Sequence, residues 1–135
     1  MTFTLSAKSI EKMQGVHPDL VAVVRKAAEV SKVEFIVTEG MRTIERQKQL
    51  YKAGATKTLN SRHLTGHAVD LAAVVDGEVR WDWPLYDKIA DAMLYAAGLL
   101  GHSVVWGGSW ASFKDGPHFE LNRNFYPAKG DFHGA

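Results

Sequence analysis

Ser61-Arg62-His63-Leu64-Thr65-Gly66-His67-Ala68-Val69-Asp70 is the stretch on which the fold turns, together with a downstream partner, Asp115-Gly116-Pro117-His118-Phe119-Glu120. Between them the two segments offer imidazoles and a carboxylate as metal ligands, with a spare carboxylate at Asp115 three residues before His118. Three protein ligands with one position left open is the arrangement a catalytic zinc requires. A carboxylate just outside that set stands where a general base for an attacking water belongs.

Strand alternation sorts the candidates. His67 to Val75 is rich in β-branched and small apolar residues and reads as a strand. Ala68, Asp70 and Ala72 then share one face, and His67, Val69 and Leu71 the other. Asp70 lies beside alanines that leave space for an ion and a substrate, while His67 points away. Pro117 to Leu121 is a further strand in which His118 and Glu120 share a face and Phe119 and Leu121 point to the core. His63, in the loop before Gly66, can fold back toward Asp70. The expected ligands are therefore His63, Asp70 and His118, holding one zinc ion per chain. Each residue alone has a plainer explanation, as a hydrogen-bonded or surface histidine or an aspartate paired with an arginine. An aspartate within Val-Asp-Leu-Ala-Ala is nevertheless costly to bury unless it is paired or bound to a metal. His17, His67, His102 and His133 are read as ordinary structural or surface residues. Lys-Asp-Gly-Pro is strong turn chemistry, so Asp115 is a turn residue whether or not it is also a base.

The remaining chain is organised around these strands. Ser6 is a candidate cap for a short helix ended by Gly15, and Pro18 opens a second helix with Leu20, Val21, Val24, Ala27 and Ala28 on its apolar face. Val33 to Thr38 reads as a strand. Thr43 caps a third helix running to about Ala53, and 55–66 reads as loop. Asp76-Gly77 is a hairpin turn with Glu78 to Trp81 as the return strand. Pro84 starts a long amphipathic helix to about Leu99, and Ser103 to Trp106 is a short strand. Helices and antiparallel strands alternate without a βαβ rhythm, which gives an α+β class: a small antiparallel sheet carrying the zinc site, packed against helices.

The chain of 135 residues suits a single domain spanning 1–135. Its net charge of +1 argues against nucleic acid as a partner. Cysteine is absent, which excludes disulfides, a thiol nucleophile and thiolate ligands. The first residues lack a signal-peptide pattern and no apolar run approaches the ~20 residues of a membrane span. The expectation is a product made in the cytoplasm that does not insert into membranes.

Ser-x-His-x-x-Gly-x-Ala-x-Asp at Ser61 to Asp70, followed by Asp-x-Pro-His-Phe-Glu at Asp115 to Glu120, resembles the zinc peptidases of bacterial cell walls. These comprise D-alanyl-D-alanine carboxypeptidases and dipeptidases and the phage endolysins that cut the L-alanyl–D-glutamate bond, and they share a metal-site fold with the hedgehog signalling domain. The likeness runs from about Glu39 to Tyr126. It implies zinc at His63, Asp70 and His118 and a catalytic base at Asp115. It also implies that Arg42 clamps the substrate or its oxyanion. Without the likeness, an arginine near Glu39 and Glu45 reads as a surface ion pair of little value. Gln47, Ser61, Trp106 and Trp110 match further positions and are expected to line the substrate site. The Trp106-Gly-Gly-Ser-Trp110 segment, Phe113, and an aspartate where the other branches carry glutamate all resemble the endolysin branch. The implied activity is zinc-dependent hydrolysis of the L-alanyl–D-glutamate bond in peptidoglycan stem peptides during host cell lysis. A monomeric enzyme is implied, stored in the host cytoplasm until the inner membrane is permeabilised. The alternatives are a D-Ala-D-Ala carboxypeptidase and a non-catalytic zinc-containing wall-binding module.

Overall fold

The computed structural model describes residues 3–55, 61–110 and 114–127; Phe113 and His133 lie outside them. The helices are α1 (Ala7–Lys12), α2 (Pro18–Val30), α3 (Ile44–Lys52) and α4 (Trp83–Leu100), and the strands are β1 (Glu34–Glu39), β2 (Ala68–Val75), β3 (Glu78–Arg80), β4 (Val104–Trp106) and β5 (His118–Leu121). Their ends are set by the local chemistry read from the sequence. The hydroxyls of Ser6 and Thr43 accept from Ser9 and Arg46 backbone N–H groups at the starts of α1 and α3. Asp76 and Gly77 both take positive φ, as a tight hairpin between β2 and β3 requires.

All strand pairings are antiparallel, in the order β1-β2-β5-β4, with β3 also paired to β2. Because β1 occupies one edge of β2 along Asp70 to Val74, β5 and β3 divide the other edge. The strand β5 takes Ala68 to Asp70, and β3 takes Ala73 to Val75. The class is α+β, with helices α2 and α4 packed on each other and on one face of the sheet. Phe35, Val37, Val69, Leu71, Phe119 and Leu121 from the sheet bury against Leu20, Val24, Ile89 and Met93 from the helices. Burial of these side chains is the dominant favourable contribution to the fold. It also fixes parity: residues between the core positions of β2 and β5 must face the opposite side of the sheet, where the polar cluster forms.

Two departures from the sequence expectation position that cluster. The 55–66 stretch is not loop throughout: Arg62–Thr65 form a 3-10 turn closed by Gly66 at φ 76°. A Cβ on Gly66 would lie 2.3 Å from the Gly15 carbonyl oxygen, so the turn packs directly on the α1–α2 connection. The second departure is a bulge in β1. Val37 pairs with Leu71, but Glu39 rather than Thr38 pairs with Asp70. The extra residue carries Glu39 from the core side of β1 to the side of Asp70.

Candidate metal and catalytic site

His63, Asp70 and His118 each offer a ligand atom, and the three atoms lie within 4.8 Å of one another. Asp70 and His118 are direct cross-strand partners on β2 and β5. His63 reaches them from the 3-10 turn, where its own backbone N–H donates to the capping Ser61 hydroxyl at 3.2 Å. Asp70 Oδ1 is 3.2 Å from both His63 Nε2 and His118 Nδ1.

The other nitrogen of each imidazole is committed elsewhere. His63 Nδ1 lies 2.8 Å from the Gly40 carbonyl oxygen, which can only accept, so the proton sits on Nδ1 and Nε2 is presented to the site. The backbone returns the contact, with Arg42 N–H donating to the His63 carbonyl at 2.8 Å. His118 Nε2 lies 2.8 Å from Glu120 Oε1, which leaves Nδ1 for the site. Glu120 is in turn flanked by Arg62 Nε at 4.0 Å and Arg123 Nε at 3.8 Å. Arg62 also donates to the carbonyls of Leu121 and Tyr126, which ties the end of β5 beneath the His63 turn. Both histidines are nearly sealed, at 2% and 6% exposure. Paired carboxylates and carbonyls behind metal-ligating imidazoles fix the tautomer and the ring orientation.

The electrostatics follow from this packing. Burial opposes the charge on Asp70, but hydrogen bonds from His118 and His63 outweigh it and hold the carboxyl well below the usual carboxylate range. Burial likewise opposes a charged His118, and its bonds to Asp70 and Glu120 overcome that and raise it to about 9. Asp115 shifts the other way: burial and the charge of Asp70 raise it, against the smaller opposing influence of His118, His63 and Arg42. It is therefore close enough to feel the whole cluster. Asp115 sits in a turn whose carbonyl accepts from His118 N–H at 3.2 Å, as its turn chemistry predicts.

Arg42 is buried, not a surface ion pair. Its Nε and Nη2 each donate to a different oxygen of Glu39 at 2.8 Å, and Nη1 donates to Gln47 Oε1 at 2.6 Å. Nη2 is also 3.8 Å from Asp70 Oδ2. Gln47 is buried with its carbonyl turned to the guanidinium, and Ser61 caps the His63 turn, so both brace functional side chains from behind. Trp110 lies over the His118 ring at a centroid distance of 5.2 Å. Trp106 stacks on Phe119 and donates its indole N–H to the Gly116 carbonyl at 2.7 Å. His67 stays out of the cluster and meets Thr65 Oγ1 at 2.7 Å. His17 caps α2, and His102 lies beside Asp19 and Tyr126.

The sequence did not reveal the contribution of Glu39 or of the Gly40 carbonyl. A signal for the first was present: Phe35, Val37 and Glu39 share one strand parity, and a charge at an inward position asks for a bulge or a partner. The second is a backbone atom and leaves no mark on residue identity.

Comparison with known proteins gives a consistent result. Residues 1–129 match the family of phage L-alanyl-D-glutamate peptidases. The chain is 29% identical over 130 residues to the L-alanyl-D-glutamate peptidase of Escherichia phage T5, covering 93% of this chain and 94% of that protein. It is 36% identical over 116 residues to the peptidoglycan L-alanyl-D-glutamate endopeptidase CwlK of Bacillus subtilis, covering 73% and 68%. The crystal structure of the Serratia marcescens L-Ala D-Glu endopeptidase ChiX superposes with a TM-score of 0.88 at 51% identity, covering 95% of each chain.

Proposed function

The chain belongs to the phage L-alanyl-D-glutamate peptidase family, and on that premise we propose that it is a zinc-dependent endopeptidase that hydrolyses the L-alanyl–D-glutamate bond of peptidoglycan stem peptides. The observation that carries the reading is the His63–Asp70–His118 cluster with each imidazole anchored from behind and Asp115 beside it. Two imidazoles and one carboxylate are the harder half of the zinc ligand repertoire, and with three protein donors a fourth position stays open for chemistry. We propose one zinc ion per chain, held by His63 Nε2, Asp70 and His118 Nδ1.

When bound, zinc supplies Lewis acidity to the attacking water and to the scissile carbonyl. The protein supplies the remainder. Asp115 accepts the proton from the water as its oxygen attacks the carbonyl carbon, and its burial strengthens it as a base. The C–N bond then breaks, and the proton on Asp115 passes to the departing amine. Arg42, held rigid by Glu39 and Gln47, directs positive charge toward the oxyanion. Glu120 and the Gly40 carbonyl keep the imidazoles from rotating as charge develops. Trp110 and Trp106 wall the cleft, and Ser61 holds the turn that presents His63.

The substrate places the enzyme at the cell wall, and we propose that it acts there in host cell lysis, as a monomer with residues 1–135 forming one catalytic domain. No helix among the described residues is long and apolar enough to cross a membrane.

Mass spectrometry of products from a defined peptidoglycan, with and without chelator, tests the proposal. The expected products are stems cut between L-alanine and D-glutamate, and chelator stops their release. Release of terminal D-alanine with that bond intact would point to a carboxypeptidase. Asp115→Ala separates an enzyme from a binding module: hydrolysis is expected to fall by roughly 10²–10⁴-fold while bound zinc is retained.

A further inference from the structure

Three of the chain's four tryptophans, Trp83, Trp106 and Trp110, contact the Asp115–His118 turn, and the fourth, Trp81, stacks on Tyr86, which packs against the same turn. Trp106 and Trp110 are accounted for by their contacts with Gly116, Phe119 and His118. Trp83 is the first residue of α4 and lies tilted against Trp106 at 6.1 Å between centroids. Its ring rests on Gly116, where a Cβ would come within 3.2 Å of Trp83 Cζ3. It nevertheless remains 44% exposed. Trp81 stacks parallel on Tyr86 at 6.1 Å with an interplanar angle of 2°, and Tyr86 Cβ approaches the same glycine, 3.5 Å from its Cβ position. Trp81 is 63% exposed. Tyr86 is locked in place, with its hydroxyl donating to the Arg80 carbonyl at 2.8 Å and accepting from Ala73 N–H at 3.1 Å. The exposed rings are thus continuous with the site through Gly116, the residue next to Asp115.

We propose that Trp83 and Trp81 form a ledge that stacks the muramyl sugar of the glycan strand, so that the enzyme reads glycan and stem peptide together. The inference rests on the proposed scissile bond. L-Alanine joins the stem to the lactyl group of the sugar, so one residue, at most ~3.6 Å of extended chain, separates the scissile bond from the glycan linkage. Trp83 packs on Gly116, the chain neighbour of Asp115, which puts an exposed ring beside the turn that carries the proposed base. The chemistry also matches: the C–H face of a pyranose packs on an aromatic plane, and indoles left in water gain by covering it. The stem on the far side of the bond carries carboxylates and an amino group, for which a neutral aromatic shelf is a poor partner.

The test compares kcat/KM for a disaccharide-linked stem peptide with that for the same peptide lacking sugar, in wild type, Trp83→Ala, Trp83→Phe and Trp81→Ala. Wild type is expected to prefer the glycan-bearing substrate. The ratio of the two values should fall roughly tenfold in Trp83→Ala, less in Trp81→Ala, and be largely restored in Trp83→Phe. A loss confined to packing on Gly116 would depress both substrates alike and leave the ratio unchanged, which would overturn the ledge. Product masses identify the bond cut in each reaction. Masses showing cleavage beyond D-glutamate would overturn both proposals, because the sugar would then be out of reach. Correct masses with an unaltered ratio would overturn the ledge alone.

Discussion

His118 and Glu120 leave β5 two residues apart on the same face, and their side chains meet at 2.8 Å between Nε2 and Oε1. The contact commits Nε2, so Nδ1 is the nitrogen that faces Asp70 and the proposed zinc. Glu120→Ala is expected to weaken zinc binding about 10–100-fold while leaving His63 and Asp70 in place. Glu120→Gln should recover part of the loss, since its amide oxygen can still accept. Competition titration against a chromogenic chelator measures both, and wild-type affinity in Glu120→Ala would remove Glu120 from the site.

The Arg42 guanidinium spans both Glu39 oxygens and Gln47, a geometry that a single ammonium cannot reproduce. Arg42→Lys removes the charge-assisted bond from the guanidinium to the Gln47 carbonyl, which costs about 1.5–3 kcal/mol. The expected outcome is a lower Tm and a fall in kcat/KM of roughly tenfold or more, with zinc content unchanged. Retention of both Tm and activity would show that the fork is dispensable.

Gly107 lies against the turn that carries the proposed base. A Cβ there would sit 2.5 Å from the Asp115 carbonyl oxygen and 3.1 Å from His118 Cβ. Both are parts of a packed turn, not the free ends of flexible side chains. Gly107→Ala must displace Asp115 relative to His118, at a cost of about 1–3 kcal/mol in overpacking. Its kcat/KM should drop far more than its zinc affinity; equal activity with the wild type would show that the turn has slack.

The metal-free protein should respond to pH in a direction fixed by its two shifted groups. His118 is raised from 6.5 to about 9, so its contribution to stability is fully present below 6.5 and is lost as pH rises through about 9. Asp70 is lowered, so its contribution is present above 3.8 and lost as pH falls toward its folded value. In chelator, Tm should therefore decline between pH 6.5 and 9. With zinc bound the alkaline decline should disappear, because ligation requires a neutral imidazole and releases the proton. A Tm in chelator that stays level from pH 6.5 to 9 would contradict a charged His118.

Local chemistry in the sequence determined a great deal. Caps at Ser6 and Thr43, the Asp76-Gly77 hairpin and the alternation through β2 and β5 act over a few residues, and each is found at or within a residue or two of its expected position. The same alternation separated Asp70 from His67, and His118 from Phe119, because side-chain parity along a strand is independent of what the strand pairs with.

Tertiary structure decided what depends on pairing. The register that sets Asp70 opposite His118 is chosen by burial of Val69, Leu71, Phe119 and Leu121 against α2 and α4, far apart in sequence. The bulge at Thr38 turns Glu39 to the site and converts Arg42 from an apparent surface charge into a braced guanidinium. The Gly40 carbonyl orients His63 through a backbone atom that any residue possesses. Trp83 and Trp106, twenty-three positions apart, meet at Gly116 only once the start of α4 has packed beside the turn before β5. Residue types and parity are local properties of the chain, whereas register, bulges and backbone partners are settled by the whole core at once.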